Sequence, residues 1–565
     1  MLTVWGENLH RDSVLPEYPR PQLVRDSYIN LNGIWNYAIT KSDAAPADFM
    51  GEILVPFSPE AILSGVEKTV TASDFLWYRR VFSLPEDFNR GRVILHFGAV
   101  DQIAVLFING RELLRHVGGY LPFEADITDA LKDGVNEILL RVQDETEKSL
   151  LPRGKQKTKR GGIWYTPQSG VWQTVWLESV PGDYIKRLMI TPQFDAGLVE
   201  LEAEVAGTTR PVAHFMGGDY PLPARVPVPD FEPWSPENPK LYDFSVTCGD
   251  DEVKSYFAMR KFSVEADVTG VKRLFLNGKP LFHNGLLDQG YWPDGLYTAP
   301  SDEALIYDIE LAKSMGFNML RKHIKVEPLR WYYHCDRLGM LVWQDMPCGG
   351  GGYSPAVVST PLMTGKNLND SSYFLFGRSD AAGREEFQKE LVEMIRTLYN
   401  CPCIAMWVPF NEGWGQFDAA RIHDLVVKLD PSRTVDHASG WHDQRVGQVQ
   451  SLHVYFRKYV HKPDKLGRAV LLSEFGGYNH RVDGHCFNAK DFGYKRFESP
   501  LLLENAIEEL YAGQIRPAYS LGLGAAVYTQ LSDVEDELNG LVTYDRKVVK
   551  IAPKRAQILM KVEDK

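Results

Sequence analysis

Residues 407–416, WVPFNEGWGQ, and residues 470–478, VLLSEFGGY, decide the fold. Each is an apolar run of strand type that stops at a glutamate and continues into glycine and aromatic residues. Four to eight apolar positions bounded by glycine read as a strand buried on both faces of a parallel sheet. Glu412 and Glu474 then stand at strand C-terminal ends, where α/β barrels gather their reactive groups. The Asn-Glu pair at 411–412 owes its weight to that setting, since Asn136-Glu137 in VNEILLRV precedes its apolar strand and reads as a solvated turn. Two carboxylates on separate strand ends of one barrel can face each other across a sugar-sized gap, as glycosidic bond cleavage requires.

Working outward, strands alternate with helix-length amphipathic segments from residue 265 onward. PLFHNGLL leads into SDEALIYDIELAKSMG, where Leu305, Ile309 and Ala312 recur at helical spacing, Ser301 or Asp302 can cap the start and Gly316 ends it. FNMLR, EPLRWYYHCDRLG, MLVWQD, a helix near 381–399, IAMWVPF, a helix near 417–429, TVDHAS, VQSLHVY, AVLLSE, a helix near 502–515 and AAVYTQ follow. About eight strands in βαβα order predict a (β/α)8 TIM barrel over 265–565.

Upstream, GIWNYAI, LWYRRVFSL, RVILHF, IAVLFING, EILLRVQ and WQTVWLE are short β-type runs punctuated by Gly, Asn and Asp, which predicts a jelly-roll β-sandwich over 1–181. Shorter, proline-rich β-type runs over 182–264 suit a small immunoglobulin-like sandwich, with VPVPDFEPWSPENPK as a long connection.

At 565 residues the chain is long enough for several cores. A formal net charge of −12 argues against an electrostatic nucleic-acid partner. One basic run, RGKQKTKR at 153–160, opposes that sign and reads first as a solvated loop, second as a cationic loop that could meet an anionic sugar. Cys248, Cys335, Cys348, Cys401, Cys403 and Cys486 lack the spacing of a disulfide framework, and Cys401-Pro-Cys403 has no second pair to complete a zinc site. MLTVWGENLHRD does not have the form of a signal peptide and no run of about eighteen apolar residues occurs, so no membrane partner and a cytoplasmic location are expected.

LNGIWNY at 31–37, LHFGAVDQIAVLFING at 95–110, SGVWQTVWLE at 169–178, WSPENPKLY at 234–242, FNMLRKH at 317–323 and the two glutamate motifs, in this order, resemble glycoside hydrolase family 2. That family includes β-galactosidases, β-glucuronidases and β-mannosidases. The resemblance implies a retaining exo-β-glycosidase acting on a carbohydrate substrate, with no cofactor and compatible with a homo-oligomer. It makes Glu412 the general acid/base and Glu474 the nucleophile. Asn411 resembles the ligand to the sugar 2-hydroxyl, Tyr455 the tyrosine that orients the nucleophile, and Arg321 and His323 the Arg-x-His signature beside the sugar. Asp288, at the first strand end, is a further candidate ligand to a sugar hydroxyl, and Trp407, Trp441 and Tyr528 are candidate stacking faces.

Departures qualify the substrate. Family β-glucuronidases carry an Asn-x-Lys pair for the uronate, whereas ELNGLVTYDRK places Glu537 and Asn539 there. A glutamate in that position repels a carboxylate, so neutral β-galactosides are expected. A uronide (β-glucuronide or β-galacturonide) and an α-L-arabinopyranoside are the alternatives, with loop 153–160 as the opposing feature. Tyr528 stands where many relatives have Trp, and no carboxylate cluster repeats the magnesium site of the large bacterial β-galactosidases, so no metal is expected. A catalytically silent carbohydrate-binding protein is the non-enzymatic alternative, and the intact glutamate pair argues against it.

Overall fold

The computed structural model describes residues 1–562, without the side chains of residues 362 and 363. Two antiparallel sandwiches precede a parallel barrel, as expected. In the first, a four-stranded sheet (Tyr28–Asn30, Val175–Val180, Arg92–Phe97, Phe123–Asp126) packs on a six-stranded one (Gly51–Val55, Gly33–Thr40, Phe75–Ser83, Val135–Gln143, Ile103–Ile108, Arg111–Val117). Alternation makes the layers: along Val135–Gln143, Asn136, Ile138, Leu140 and Val142 are buried and their neighbours are not. Trp35, Leu95, Leu106, Leu140 and Leu177 meet between the sheets. The second sandwich packs sheets of three strands (Tyr184–Gln193, Leu198–Ala206, Ala224–Pro227) and four (Gly218–Pro221, Val212–Phe215, Tyr242–Cys248, Asp251–Phe257).

The barrel strands are β1 (His283–Asp288), β2 (Met319–Lys322), β3 (Leu341–Asp345), β4 (Ile404–Val408), β5 (Thr434–Val435), β6 (Val449–Val454), β7 (Ala469–Gly476) and β8 (Leu523–Thr529). They form one parallel sheet in the order β5-β4-β3-β2-β1-β8-β7-β6. Every residue of β1, β3, β4, β7 and β8 is buried, because packed side chains fill the inside and helices cover the outside. The helix Asp302–Ser314 is typical of that cover: the Ser301 side chain accepts from the Ala304 amide, Leu305, Ile309 and Ala312 are buried, and Gly316 (φ +89°) ends it.

β5 and β6 are not joined by a backbone ladder. Side chains cross the gap instead: Ser451 Oγ donates to Asp436 Oδ1 (2.8 Å), and Ser439 Oγ lies 3.2 Å from His453 Nε2.

The sandwiches complete the barrel's core. Tyr120, Tyr165 and Trp172 of the first and Trp234, from the long connection in the second, pack in the same apolar cluster as the barrel strands and helices. The Trp234 indole donates to the Asp336 carbonyl (2.8 Å), Thr298 Oγ1 donates to the Trp172 carbonyl (2.6 Å), and Arg153 donates to the Gly350 carbonyl (2.8 Å). Baring such aromatic faces costs about 1.5–3 kcal/mol for each side chain. A fragment starting at residue 265 is therefore expected to be insoluble or to lack a cooperative thermal transition. A soluble fragment melting like the full chain contradicts this account. All six cysteines are unpaired, and among the described residues no helix is long and apolar enough to cross a membrane.

Candidate active site

Glu412 sits four residues beyond β4, in a turn that fixes its backbone. Its φ of +51° lies in the left-handed region, costing about 1–2 kcal/mol in a non-glycine residue. That conformation is held from both sides: the Glu412 amide donates to the Ser439 carbonyl (2.9 Å), and the Trp441 indole donates to the Glu412 carbonyl (2.9 Å). From that turn the Glu412 carboxylate reaches the ring of His453.

Glu474 projects from β7 towards it. One carboxylate oxygen of each glutamate and one ring nitrogen of His453 all lie within 4.8 Å of one another, a grouping that could also accept a metal ion. His453 Nδ1 is 2.8 Å from Glu412 Oε1, and Nε2 is 3.5 Å from Glu474 Oε1. A single imidazole therefore joins the two acids.

The rest of the cleft is organised around Glu474. Arg321, fully buried at the end of β2, donates to Glu474 Oε1 (3.1 Å), to both oxygens of Asp345 (3.0 and 3.1 Å) and to Asn411 Oδ1 (2.8 Å). Tyr455 donates to Glu474 Oε2, lies 2.9 Å from Thr529 Oγ1, and stacks on Tyr494 at 3.8 Å between ring centres. Burial alone raises the Glu474 pKa. The neighbouring His453 and Arg321 more than reverse that and hold it below the ordinary carboxylate range. Burial drives the His323 pKa well below its usual value, so the ring meets the cleft neutral, 2.7 Å through Nδ1 from Asp345 Oδ2. Asn411 Nδ2 is buried and has no partner among the described residues, which leaves a donor facing the cleft.

Glu412, Glu474, Asn411, Tyr455, Arg321, His323 and Trp441 thus come together, with Trp441 edge-on to His453 at 5.5 Å. Arg321 holds the carboxylates in place; its donors are engaged by protein. Three other predicted ligands lie elsewhere. The Asp288 carboxylate pairs with Lys322 Nζ (2.6 Å), which itself stands over the Trp331 ring. The Trp407 indole donates to Asp430 (2.9 Å) beside Arg433. Tyr528 is fully buried against Phe475 and Tyr478. All three belong to the outward-facing set of their strands, one residue out of phase with the cleft.

His453, Asp345 and Tyr494 went unassigned from the sequence. Strand alternation was a usable signal for His453, two residues before Tyr455 in LHVYF and therefore on the same face. Asp345 ends MLVWQD just as Glu474 ends VLLSE. Tyr494 lies in the long connection after β7 and carries no local signal.

Residues 267–485 match the family model described as the TIM barrel domain of glycosyl hydrolases family 2, and residues 61–180 match the sugar binding domain of the same family. The beta-galactosidase of Thermoanaerobacter pseudethanolicus is 24% identical over 385 residues, covering 63% of this chain and 47% of that protein. The beta-glucuronidase of Bacteroides fragilis is 26% identical over 404 residues, covering 64% and 54%. The chain spans about half the length of the curated relatives it matches. Among solved structures, a Ruminococcus gnavus beta-glucuronidase superposes with a TM-score of 0.76 at 17% identity, over 97% of this chain and 98% of that one. A beta-galacturonidase from Eisenbergiella tayi bound to galacturonate gives 0.71 at 18%, over 97% and 99%. At these identities the likeness speaks to the fold.

Proposed function

The chain belongs to glycosyl hydrolases family 2, and on that premise we propose that it is a retaining β-glycosidase that removes single sugars from non-reducing ends. The observation that carries the reading is the facing pair: one carboxylate oxygen of Glu412 lies within 4.8 Å of one of Glu474. Retaining enzymes hold their two carboxyls about 5–5.5 Å apart, whereas inverting ones need about 6.5–9.5 Å to admit a water between them.

In this reading Glu474, kept anionic by His453 and Arg321 and oriented by the Tyr455 hydroxyl, attacks the anomeric carbon. The bond from that carbon to the leaving oxygen breaks as Glu412 hands its proton to that oxygen. Glu412, now a carboxylate, then takes a proton from water. The resulting hydroxide-like oxygen attacks the same carbon and releases Glu474. Asn411 Nδ2, the unpartnered donor, suits the sugar 2-hydroxyl, a contact that strengthens in the transition state.

An exo action is supported by the sandwich segment 153–165. Its Arg153 reaches the Gly350 carbonyl and its Tyr165 the Glu537 carboxylate, so it lies across the barrel mouth. Terminal hexosides and uronides both fit the family, and the pocket's charge bears on the choice between them. The reading is tested by the anomeric configuration of the first-formed product from a 4-nitrophenyl β-glycoside, followed by proton NMR. Retention is expected, and inverted product rejects the double displacement.

A further inference from the structure

Four lysines are buried among the described residues: Lys155, Lys322, Lys325 and Lys550. Three have anionic partners: Lys322 donates to Asp288 and Glu327, Lys325 to Glu327 and two carbonyls, and Lys550 to Asp533 and a carbonyl. Lys155 is the exception. It is 7% exposed, yet among the described residues no carboxylate lies within 4.0 Å of it and no hydrogen bond leaves its ammonium. It stands instead over ring faces, Trp414 at 5.6 Å and Tyr165 at 5.9 Å. Its ammonium is not among the fully buried, unpartnered polar atoms, so it meets the cleft, and a ligand that covered it without bringing an anion would remove its hydration without return.

Lys155 also borders the cleft: it stands over the ring of Trp414, two residues after Glu412, and its charge lowers the pKa of both Glu474 and His323. The loop beneath it is fixed: the Gly154 amide donates to the Tyr120 hydroxyl (2.7 Å), and the Tyr165 amide donates to the Lys155 carbonyl (2.8 Å). The other cations of this wall are engaged, Arg321 by carboxylates and Arg153 by the Ser149 and Gly350 carbonyls. The acidic turn at 535–537, which argued against an anionic sugar, is turned away from that role. Glu537 accepts from the Tyr165 hydroxyl and from Asn539 Nδ2, and Arg160 lies within 3.3 Å of both Glu535 and Asp536.

We propose that Lys155, delivered by the first sandwich into the barrel mouth, is a specificity residue that pairs with an anionic group at C6 of the terminal sugar. The inference rests on the glycosidase reading for its substrate and on the unpaired ammonium for its charge. A uronate carboxylate and a 6-sulfate share the required chemistry. A neutral sugar would cover the ammonium without compensating its charge, so it is discriminated against in the ground and transition states alike. This reverses the neutral-sugar expectation drawn from Glu537.

The experiment measures kcat/KM for the full chain on 4-nitrophenyl β-D-galacturonide, β-D-glucuronide, β-D-galactoside and 6-sulfo-β-D-galactoside, in wild type, Lys155→Met and Lys155→Arg. Wild type is expected to prefer an anionic substrate at least ~10-fold over β-D-galactoside, with the uronide and sulfate arms identifying which anion is read. The anionic-to-neutral ratio is expected to fall about 100-fold in Lys155→Met and to recover partly in Lys155→Arg. A wild-type preference for the neutral galactoside, or an unchanged ratio in Lys155→Met, overturns the proposal.

Calorimetric titration with D-galacturonate, D-glucuronate and D-galactose separates this inference from the glycosidase reading. Uronate binding that disappears in Lys155→Met, in a chain that turns over no glycoside, rejects the glycosidase reading and upholds the subsite. Turnover of neutral glycosides with no uronate binding does the reverse. Because no carboxylate or hydrogen-bond partner holds the Lys155 ammonium in the ligand-free protein, Lys155→Met is expected to melt no lower than wild type, which a structural lysine would not allow.

Discussion

Glu474→Ala loses kcat on activated aryl glycosides by on the order of 10⁵-fold or more, because the covalent glycosyl-enzyme cannot form without the attacking carboxylate. Glu412→Ala behaves differently. With a 2,4-dinitrophenyl leaving group, which departs without protonation, the glycosylation burst survives. The following hydrolysis slows about 10²–10⁴-fold for want of the general base. Added azide then separates the roles. In Glu412→Ala it captures the glycosyl-enzyme and gives the β-glycosyl azide; in Glu474→Ala it enters the vacated space and gives the α-azide. An α-azide from the Glu412 variant would show the assignment to be reversed.

Arg321→Met is expected to cost about 3–5 kcal/mol of stability, since it strands the carboxylates of Asp345 and Glu474 in the interior. Denaturant unfolding reads that loss directly. Arg321→Lys retains the charge but not the fork that reaches Asp345, Glu474 and Asn411 together, and an intermediate loss is expected. Activity reports the same contact through pH. Glu474 has a depressed pKa in the folded protein, so its contribution to stability is present above the unfolded-state value and is lost as pH falls through the folded one. In wild type the acidic limb of kcat/KM accordingly lies below the ordinary carboxylate range. Arg321→Lys moves that limb to higher pH as the guanidinium contacts weaken. A limb that stays in place means that Arg321 does not set the charge of Glu474.

The eight barrel strands and the two glutamates were legible because a short apolar run closed by a polar residue and glycine has few other readings. The same property hid the facing of individual side chains. Strands buried on both surfaces lose the polar-apolar alternation that reveals phase, so Trp407 and Tyr528 passed for cleft residues although they face the helix layer. Asp288 was misplaced for a related reason: its partner Lys322 follows Arg321 directly, and only the fold shows that the two point to opposite sides of β2. Loop 153–160 reads as a solvated basic run because nothing local says that a barrel mouth will cover it. That information resides in contacts between segments far apart in the chain, such as Arg153 with Gly350 and Arg160 with Asp536.

The gap between β5 and β6 sets the candidate cleft beside the one seam of the barrel that has no backbone ladder among the described residues. His453 and Tyr455 stand on the β6 side, while Ser439, which fixes the Glu412 backbone, follows β5. Without a ladder, the flanking amides lack the mutual protection that their counterparts share around the rest of the sheet, and they are expected to exchange with deuterated water ahead of those in β1, β7 and β8. A sugar gripped from both sides would serve as the missing rung. Ligand binding and closure of the cylinder are then one equilibrium, and exchange at this seam should slow as the cleft fills.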